Sequence, residues 1–378
     1  MGINYEKRIF GLDIMRAVAI LLVVASHAIW IFPPAKTIFS ELLSVAGLLG
    51  VEIFFVLSGF LIGRLIFKQF TTTDFSFNSV LYFWIRRWFR TLPNYYLILL
   101  FNIVLATILG IALPDSIWKY GLFIQNLAWE MPLFFGESWS LPIEEFAYIL
   151  GPLLLYIVLI FNWKINRSKL FLIITCFIII LFTITKMFYN AHHPNTNMMF
   201  WNVNLKAVTI YRIDAIYYGV LASYVAMTYQ KFWSKVKYLS LILGGVMFLA
   251  LNIGVPALQL FIEDYSFFWN VMYLPINSIA IALVLPYLSQ IQSAPKVIMY
   301  PITLISLISY SMYLLHYSVI LQLMKHIMPT EGLSSLQIIL YLLGYVGLTI
   351  IASYGLYQFF EKPMTNLRDA SKIKNHFK

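Results

Sequence analysis

The sequence predicts an all-α fold, a polytopic membrane helical bundle of about ten transmembrane helices. Of its 378 residues, 61% are hydrophobic and only 11% are charged, against roughly 25% charged in an ordinary soluble domain. The apolar residues fall into windows of roughly 20, the length that a helix needs to cross a bilayer. The charges lie mostly between these windows, so the net charge of +10 fits membrane topology. We therefore expect membrane lipid, and no nucleic acid, as a partner.

The first window begins after Lys7 and Arg8, as a secretory signal does. However, Asp13 and Arg16 interrupt it and a Phe-Pro-Pro sequence at 32–34 follows it, so we interpret it as a retained first span. The predicted spans lie near residues 10–32, 42–63, 92–112, 141–161, 170–189, 208–228, 238–256, 268–289, 302–324 and 336–359.

Basic residues predict which side of the membrane each connection faces. With a cytoplasmic N-terminus, nineteen Lys and Arg residues fall in inner segments and five in outer segments, namely Lys36, Lys119, Lys186, Lys206 and Lys325. Because cytoplasmic loops carry such an excess, we expect a multi-pass protein of the cell (inner) membrane with both termini in the cytoplasm. No linker-like stretch divides the chain, so residues 1–378 predict a single integral-membrane domain with a short basic tail near 365–378.

The first span carries one arginine and one histidine. Arg16 and His27 are eleven residues apart, which on an α-helix is about 16 Å of rise and about 20° from a whole number of turns. Both therefore lie on one face. Since a charge inside a bilayer costs at least about 2.5 kcal/mol, we expect this face to look into protein or water. A neutral imidazole can take and return a proton, as acyl transfer to an alcohol requires; alternatively, His27 only hydrogen-bonds a neighbouring helix.

The second span contains a carboxylate in an otherwise apolar stretch. Glu52 lies in the sequence GVEIFFVLSGFLIG at 50–63, and an intramembrane carboxylate needs a partner. In the same stretch, Ser58 and Gly59 are small enough to let another backbone approach closely. This span is therefore expected to pack tightly and to contribute one buried charge.

Three arginines precede the third span. Arg86, Arg87 and Arg90 lie at its inner end. They either determine topology and contact anionic lipid headgroups, or bind the phosphates of a cytosolic donor, because the arginine fork matches phosphate oxygens bidentately.

The sequence GESWSLPIEEFAY opens the fourth span. Ser138 or Ser140 is predicted to cap a helix that begins at Pro142, with Glu144 and Glu145 in its first turn, where the helix dipole favours negative charge. Alternatively, a carboxylate near the outer mouth orients an imidazole or binds sugar hydroxyls.

Two further motifs contain buried polar residues. Arg212 and Asp214 open the sixth span and, at i and i+2, do not face each other, so each needs a partner in a binding site or in a structural network. His316 is a second buried histidine, for which an interhelical contact is the default interpretation. His192 and His193 lie in an outer loop without metal-ligand spacing to Cys or carboxylates, so we predict no metal site.

Together these motifs resemble the acyltransferase 3 family of integral membrane O-acyltransferases. The resemblance runs from about residue 8 to residue 364 and rests on seven motifs in order: RIFGLDIMRAVAILLVVASHA, GVEIFFVLSGFLI, Arg87-x-x-Arg90 ahead of Leu92-Pro93, SWSLPIEE, YRIDAIYYG, SYSMYLLH and FFEKP. It implies transfer of an acyl group, often acetyl from acetyl-coenzyme A, to a carbohydrate or related hydroxyl on the far side of the membrane.

The resemblance also implies roles for individual residues. Arg16 and His27 match the principal functional residues of the family, and Arg87 and Arg90 match an arginine pair associated with activity and with the donor. Glu144 occupies the glutamate position of the tryptophan-serine-leucine motif.

The chain departs from the family pattern in two ways. Ala147 stands where the family usually has an aromatic residue, which leaves the identity of the acceptor open. Some relatives also carry an extracytoplasmic hydrolase-like domain that this sequence does not show. We therefore expect transfer to finish on the membrane domain or on a separate extracytoplasmic partner.

The residues and the resemblance lead to one mechanistic hypothesis. The arginines hold acyl-coenzyme A at the inner face, and His27 either deprotonates the acceptor hydroxyl, which is the simpler case, or accepts the acyl group transiently. Glu144 orients His27 or the acceptor. The predicted residues are His27, Arg16 and Glu144 for catalysis; Arg86, Arg87, Arg90 and Arg16 for the donor; and Glu52, Trp139, Glu145, Tyr148, Arg212, Asp214 and His316 for the acceptor.

A transporter is the competing interpretation. In it, Arg16, His27 and Glu52 form a proton or substrate pathway, together with the polar residues of the sixth span. Against it, the sequence shows no internal repeat, and the basic cluster lies at the inner mouth rather than along a path.

Overall fold

The computed structural model consists of packed α-helices, some of them extended by 3₁₀ or π-helical turns. It describes residues 8–32, 38–72, 74–161, 165–193 and 197–368. The main helices are α1 Phe10–His27, α2 Ile38–Thr72, α3 Phe77–Ile108, α4 Ser140–Ile160, α5 Arg167–His192, α6 Asp214–Thr228, α7 Lys237–Ala257, α8 Phe268–Leu288, α9 Lys296–Ile327 and α10 Ser335–Leu367.

The lengths of these helices agree with membrane insertion. Within the described ranges, nine helices are long and apolar enough to cross a membrane. The exception among the main helices is α6, whose 15 residues are fewer than the roughly 20 needed for a span. The N-terminal part of the predicted sixth span, which precedes α6, contains the 3₁₀ turn Thr209–Tyr211. The prediction of an all-α polytopic membrane bundle is confirmed.

The third helix begins earlier than predicted. It starts at Phe77 rather than near residue 92, because Ser76 and Ser79 form a reciprocal capping box at its N-terminus. The arginine cluster therefore lies on the helix itself and not ahead of it. At the other end of the chain, the predicted basic tail lies outside the described residues beyond Arg368.

Helices α2 and α6 are in backbone contact at the centre of the bundle. A Cβ atom added to Gly59 would lie 1.8 Å from the carbonyl oxygen of Ile216, and one added to Gly219 would lie 2.0 Å from that of Val56. Only glycine permits this approach. The predicted close contact at Gly59 is confirmed.

Consecutive main helices alternate in direction and so define two ends of the bundle. We call the end where α1 begins and α2 ends the basic end, since it carries Lys68, Arg86 and Arg368. The other, where α1 ends and α2 begins, is the opposite end. Contacts along α1 and α9 show that these two helices run parallel, because Arg16 contacts Ser306 and His27 contacts His316.

Two ion pairs are buried between helices. Arg212 donates to Glu52, which also accepts from Ser278 at 3.1 Å, and Lys186 donates to Asp214. Such pairing is required, because an isolated buried charge carries a desolvation penalty of several kcal/mol. The prediction that Glu52, Arg212 and Asp214 need partners is confirmed, and here the partners are other side chains of the bundle.

Candidate active site

Arg16 and His27 lie on α1, as predicted, but in different surroundings. The Arg16 guanidinium donates to Ser306 Oγ at 3.0 Å and to Asp13 Oδ1 at 3.3 Å. Its side chain lines a cavity inside the bundle. Arg16 is therefore a cation held by two partners at the wall of an internal space.

This core cavity has a volume of about 150 Å³. Its walls come from α1, α2, α3, α4 and α9, and its polar lining residues are Arg16, Ser58, Arg87, Arg90, Thr91, Ser140, Glu144, Ser309, Tyr310 and Tyr313. The remaining lining residues are mainly large apolar side chains of α2, such as Phe54 and Phe55. The space therefore combines cations with an apolar wall.

Arg87 is held in the core cavity by two acceptors from α4. It donates to Glu144 Oε2 at 3.2 Å and to the Tyr148 hydroxyl at 2.8 Å, and that hydroxyl donates to Glu144 Oε2 at 2.8 Å. The guanidinium also lies over the Tyr148 ring, 4.3 Å from its centroid. Its buried Nε has no hydrogen-bond partner among the described residues, so one donor remains available.

A larger cavity of about 540 Å³ lies at the basic end. Five cations line it, namely Lys68, Arg86, Arg87, Arg90 and Arg368. Ile62, Leu65, Arg87 and Arg90 line both this basic cavity and the core cavity. The two spaces are therefore adjacent, with Arg87 and Arg90 at their boundary.

His27 ends α1 and contacts the second buried histidine. Its Nδ1 lies 3.1 Å from His316 Nε2 and 3.0 Å from the Val23 carbonyl oxygen. The Tyr317 ring packs against the His27 ring with 4.5 Å between centroids. The predicted site residues His27 and His316 are thus in direct contact.

Tyr313 lies next to both the core cavity and the histidine pair. It lines the core cavity, and its ring centroid lies 6.0 Å from that of His316. Its hydroxyl donates to the Glu137 carbonyl at 2.7 Å and lies 2.7 Å from Ser140 Oγ. His27 itself does not line the core cavity, and Tyr313 connects the lining of that cavity to the histidine pair.

A third cavity, of about 440 Å³, lies at the opposite end between α3 and α9. Its lining combines apolar, aromatic and polar side chains, among them Asn102, Phe135, Tyr317, Ser318, Gln322 and Lys325. Since Tyr317 both lines this cavity and packs on His27, the cavity borders the histidine pair from the side opposite to the basic end.

The first turn of α4 differs from the prediction. The helix begins at Ser140, directly after the 3₁₀ turn Gly136–Trp139, and its N-terminus has no side-chain cap. The predicted capping of a helix from Pro142 is wrong, because Ser138 accepts from Gln125 at 3.4 Å and Ser140 bonds to Tyr313.

Glu144 lies in the core cavity with Arg87, and its hydrogen-bond partners there do not include His27. Glu144 contacts Arg87 because α3 is already helical at residue 87, which puts Arg87 at the same depth in the bundle as Glu144. Glu145 instead accepts from Thr91 at 2.9 Å. The predicted role of Glu144 in orienting His27 therefore has no contact to support it, and the cation that Glu144 contacts is Arg87.

The sequence reasoning missed two residues at this site. Tyr313 lies within the motif that contains His316, but the sequence offers no reason to assign it a role. Lys206, counted only as a topology signal, has its ammonium 4.3 Å from the ring centroid of the buried Trp139. Burial lowers the pKa of the Lys206 ammonium to about 8, because a desolvated cation loses its hydration. Nothing in the local sequence marks this contact.

These features define a class: an integral membrane helical bundle with a cationic cavity at one end and a pair of contacting histidines near the other. The family model described as an acyltransferase domain matches residues 9–358. The chain therefore belongs to the acyltransferase 3 family, as its motifs predicted. No solved structure matches it.

Curated relatives are similar over part of their length. A Staphylococcus aureus (strain COL) protein named "Putative O-acetyltransferase" is 24% identical over 382 residues, which cover 95% of this chain and 58% of the relative. The "Peptidoglycan O-acetyltransferase OatA" of Listeria monocytogenes serovar 1/2a is 28% identical over 184 residues, or 45% of this chain and 27% of the relative. The chain thus spans less than two thirds of the length of these relatives.

Proposed function

We propose that this protein transfers an acetyl group from acetyl-coenzyme A to a hydroxyl of a cell-envelope carbohydrate, across the membrane domain. One observation carries the proposal most directly. The cation-lined cavity at the basic end and the partly apolar core cavity share Arg87 and Arg90. A ligand with an anionic head and an uncharged arm fits such a pair of spaces.

Coenzyme A thioesters have this form. Their phosphates match the arginine forks of the basic cavity, and their long uncharged arm suits the core cavity with its apolar α2 wall. The free Nε of Arg87 supplies a donor within hydrogen-bonding reach of that arm. Arg86, Arg87, Arg90 and Arg16 remain the proposed donor residues, and Glu144 joins them by holding Arg87.

In the reaction, His27 acts as a general base. It takes the proton of the acceptor hydroxyl while the hydroxyl oxygen attacks the thioester carbonyl. The carbon–sulfur bond then breaks, and His27 returns the proton to the leaving thiolate. Because Tyr313 lines the core cavity and lies beside His316, the proposal includes displacement of its ring when the thioester approaches His27.

For the acceptor we propose the cavity at the opposite end. Aromatic side chains such as Phe135 and Tyr317 pack well against sugar rings, and Asn102, Ser318 and Gln322 can hydrogen-bond hydroxyl groups. The name of the Listeria relative refers to peptidoglycan, which supports a carbohydrate acceptor of the envelope. The acceptor roles assigned to Glu52, Trp139, Glu145, Tyr148, Arg212 and Asp214 stay predictions.

The proposal includes an orientation. Because cytoplasmic loops carry an excess of Lys and Arg, we propose that the basic end faces the cytoplasm, where coenzyme A thioesters are made. The opposite end, with the acceptor cavity, then faces outward. Transport through Arg16, His27 and Glu52 is less well supported, because Glu52 is engaged with Arg212 and Ser278 and does not line the core cavity.

Mass spectrometry of envelope glycans tests this function. Cells that express the wild-type chain are expected to carry acetylated glycans, and cells that express His27→Gln are expected to lack them, with both proteins present in the membrane at equal amounts. His192→Gln is the matched control, since His192 is exposed at the end of α5 and should leave acetylation unchanged. Normal acetylation with His27→Gln would refute the proposal.

A further inference from the structure

We infer that His316 is the positioning residue of His27: it holds the His27 ring in the Nδ1–H tautomer and accepts a hydrogen bond from it, so that His27 Nε2 is left as the base. This inference rests on the proposed function, because it assigns a partner to the base of that reaction. The contact concerned is the 3.1 Å approach of His316 Nε2 to His27 Nδ1.

The protonation of His316 follows from its backbone neighbours. Its Nδ1 lies 3.0 Å from the Met312 carbonyl oxygen and 2.8 Å from the Tyr313 carbonyl oxygen. A carbonyl oxygen only accepts hydrogen bonds, so this nitrogen must carry the proton. In a neutral imidazole the other nitrogen then has a lone pair. His316 is completely buried, and its polar contacts in the described part of the chain are two carbonyl oxygens and His27, so no carboxylate is present to pair with an imidazolium.

The protonation of His27 follows in turn. Its Nδ1 faces the lone pair of His316 Nε2 and, at 3.0 Å, the Val23 carbonyl oxygen. Both neighbours are acceptors. The Ser26 hydroxyl also lies 3.4 Å from this nitrogen, but it donates its own proton to the Val23 carbonyl oxygen at 2.8 Å. His27 Nδ1 therefore carries the proton. The reverse arrangement would set unprotonated nitrogens against the carbonyl oxygens of Val23, Met312 and Tyr313. The three carbonyl groups, one from α1 and two from α9, thus favour the Nδ1–H tautomer of both histidines.

This arrangement has a consequence for the reaction. When His27 Nε2 takes a proton from the acceptor, the resulting imidazolium still donates through Nδ1 to His316. A carboxylate fulfils this role in a Ser-His-Asp triad, whereas here a neutral imidazole does so without adding another buried charge. His316 also opens the π-helical turn His316–Leu321, and π-helical turns occur frequently at functional sites.

Kinetics of two His316 variants test the inference. His316→Phe keeps a planar ring but removes the acceptor, and we expect kcat to fall about 100-fold, as for a misplaced catalytic group, with the KM for acetyl-coenzyme A within about 2-fold. His316→Gln places an amide oxygen, which is an acceptor, near the former position of Nε2. We expect its kcat to be at least tenfold higher than that of His316→Phe. A kcat of His316→Phe equal to that of the wild type would overturn the inference.

Nitrogen NMR of ¹⁵N-histidine-labelled protein supplies a readout that does not depend on turnover. The His27 signals, assigned by their loss in His27→Gln, are expected to show a protonated Nδ1 and an unprotonated Nε2. If the His27 signals instead show a protonated Nε2 and an unprotonated Nδ1, the inference is wrong. This result is read from the wild-type protein and does not require the His316 variants to fold. An active His27→Gln protein would instead refute the proposed function, so the two failures are distinguishable.

Discussion

Arg90 lies at the boundary between the two cavities proposed for the donor. Its side chain lines both of them, together with Arg87. The two arginines are three residues apart on one face of α3, as the sequence indicates. Whereas Arg87 is held by Glu144 and Tyr148, Arg90 has no such contact in the described part of the chain. Arg90 is thus the cation best placed to bind phosphate.

We therefore predict that Arg90→Gln raises the KM for acetyl-coenzyme A about tenfold or more, with a smaller effect on kcat. Hydrogen bonds to charged groups contribute about 1.5–3 kcal/mol, and their loss affects donor binding directly. Initial rates at varied donor concentration measure this change. Lys231→Gln is the control, because Lys231 is exposed and does not line the basic cavity. An unchanged KM for Arg90→Gln would contradict the donor assignment.

At the residue scale, the sequence indicates which polar side chains lie inside the bundle better than it indicates which side chains they contact. Arg16 and His27 stand out because a charged or polar side chain in an apolar membrane helix is costly and therefore indicates a partner or a function. The contact of His27 with His316 could not be predicted, since 289 residues separate them in the chain and only the packing of α1 against α9 brings them together. The position of Glu144 could not be predicted either. Its motif is recognisable in the sequence, but whether Glu144 lies at the same depth in the bundle as Arg87 depends on where α3 begins.

At the element scale, the contact between α2 and α6 makes a second prediction. Gly59→Ala and Gly219→Ala should each destabilise the protein by about 1–3 kcal/mol, because the added methyl group meets a backbone carbonyl that cannot move aside. The expected result is a lower melting temperature of purified protein in detergent. Gly245→Ala in α7 is the control, since nothing lies within 4 Å of its Cβ position. Equal melting temperatures for Gly59→Ala and Gly245→Ala would contradict this account of the contact.

The main helices themselves were largely predictable, because a span needs an unbroken apolar window and the sequence contains such windows. The N-terminal part of α3 was not predicted, since its arginines interrupt the window although Ser76 caps a helix there. The apolar window of the predicted sixth span covers both a 3₁₀ turn and the short helix α6. Hydropathy reports burial in lipid, and it does not report where a helix begins.

At the scale of the whole molecule, the cavities lie at two different depths. The basic and core cavities reach from the basic end to Tyr313, and the third cavity borders Tyr317 at the opposite end. His27 and His316 lie between them. The cavities proposed for the donor and for the acceptor are therefore separated by a few buried side chains, as the proposed transfer across the membrane requires.

Sidedness of the donor tests this central claim most directly. Radiolabelled acetyl-coenzyme A, which does not cross membranes, is added to everted and to right-side-out vesicles from the same cells, with vesicles containing His27→Gln as the baseline. We predict label on envelope glycans only in everted vesicles, where the basic end faces the added donor. Labelling of right-side-out vesicles, or equal labelling with His27→Gln, would contradict the account.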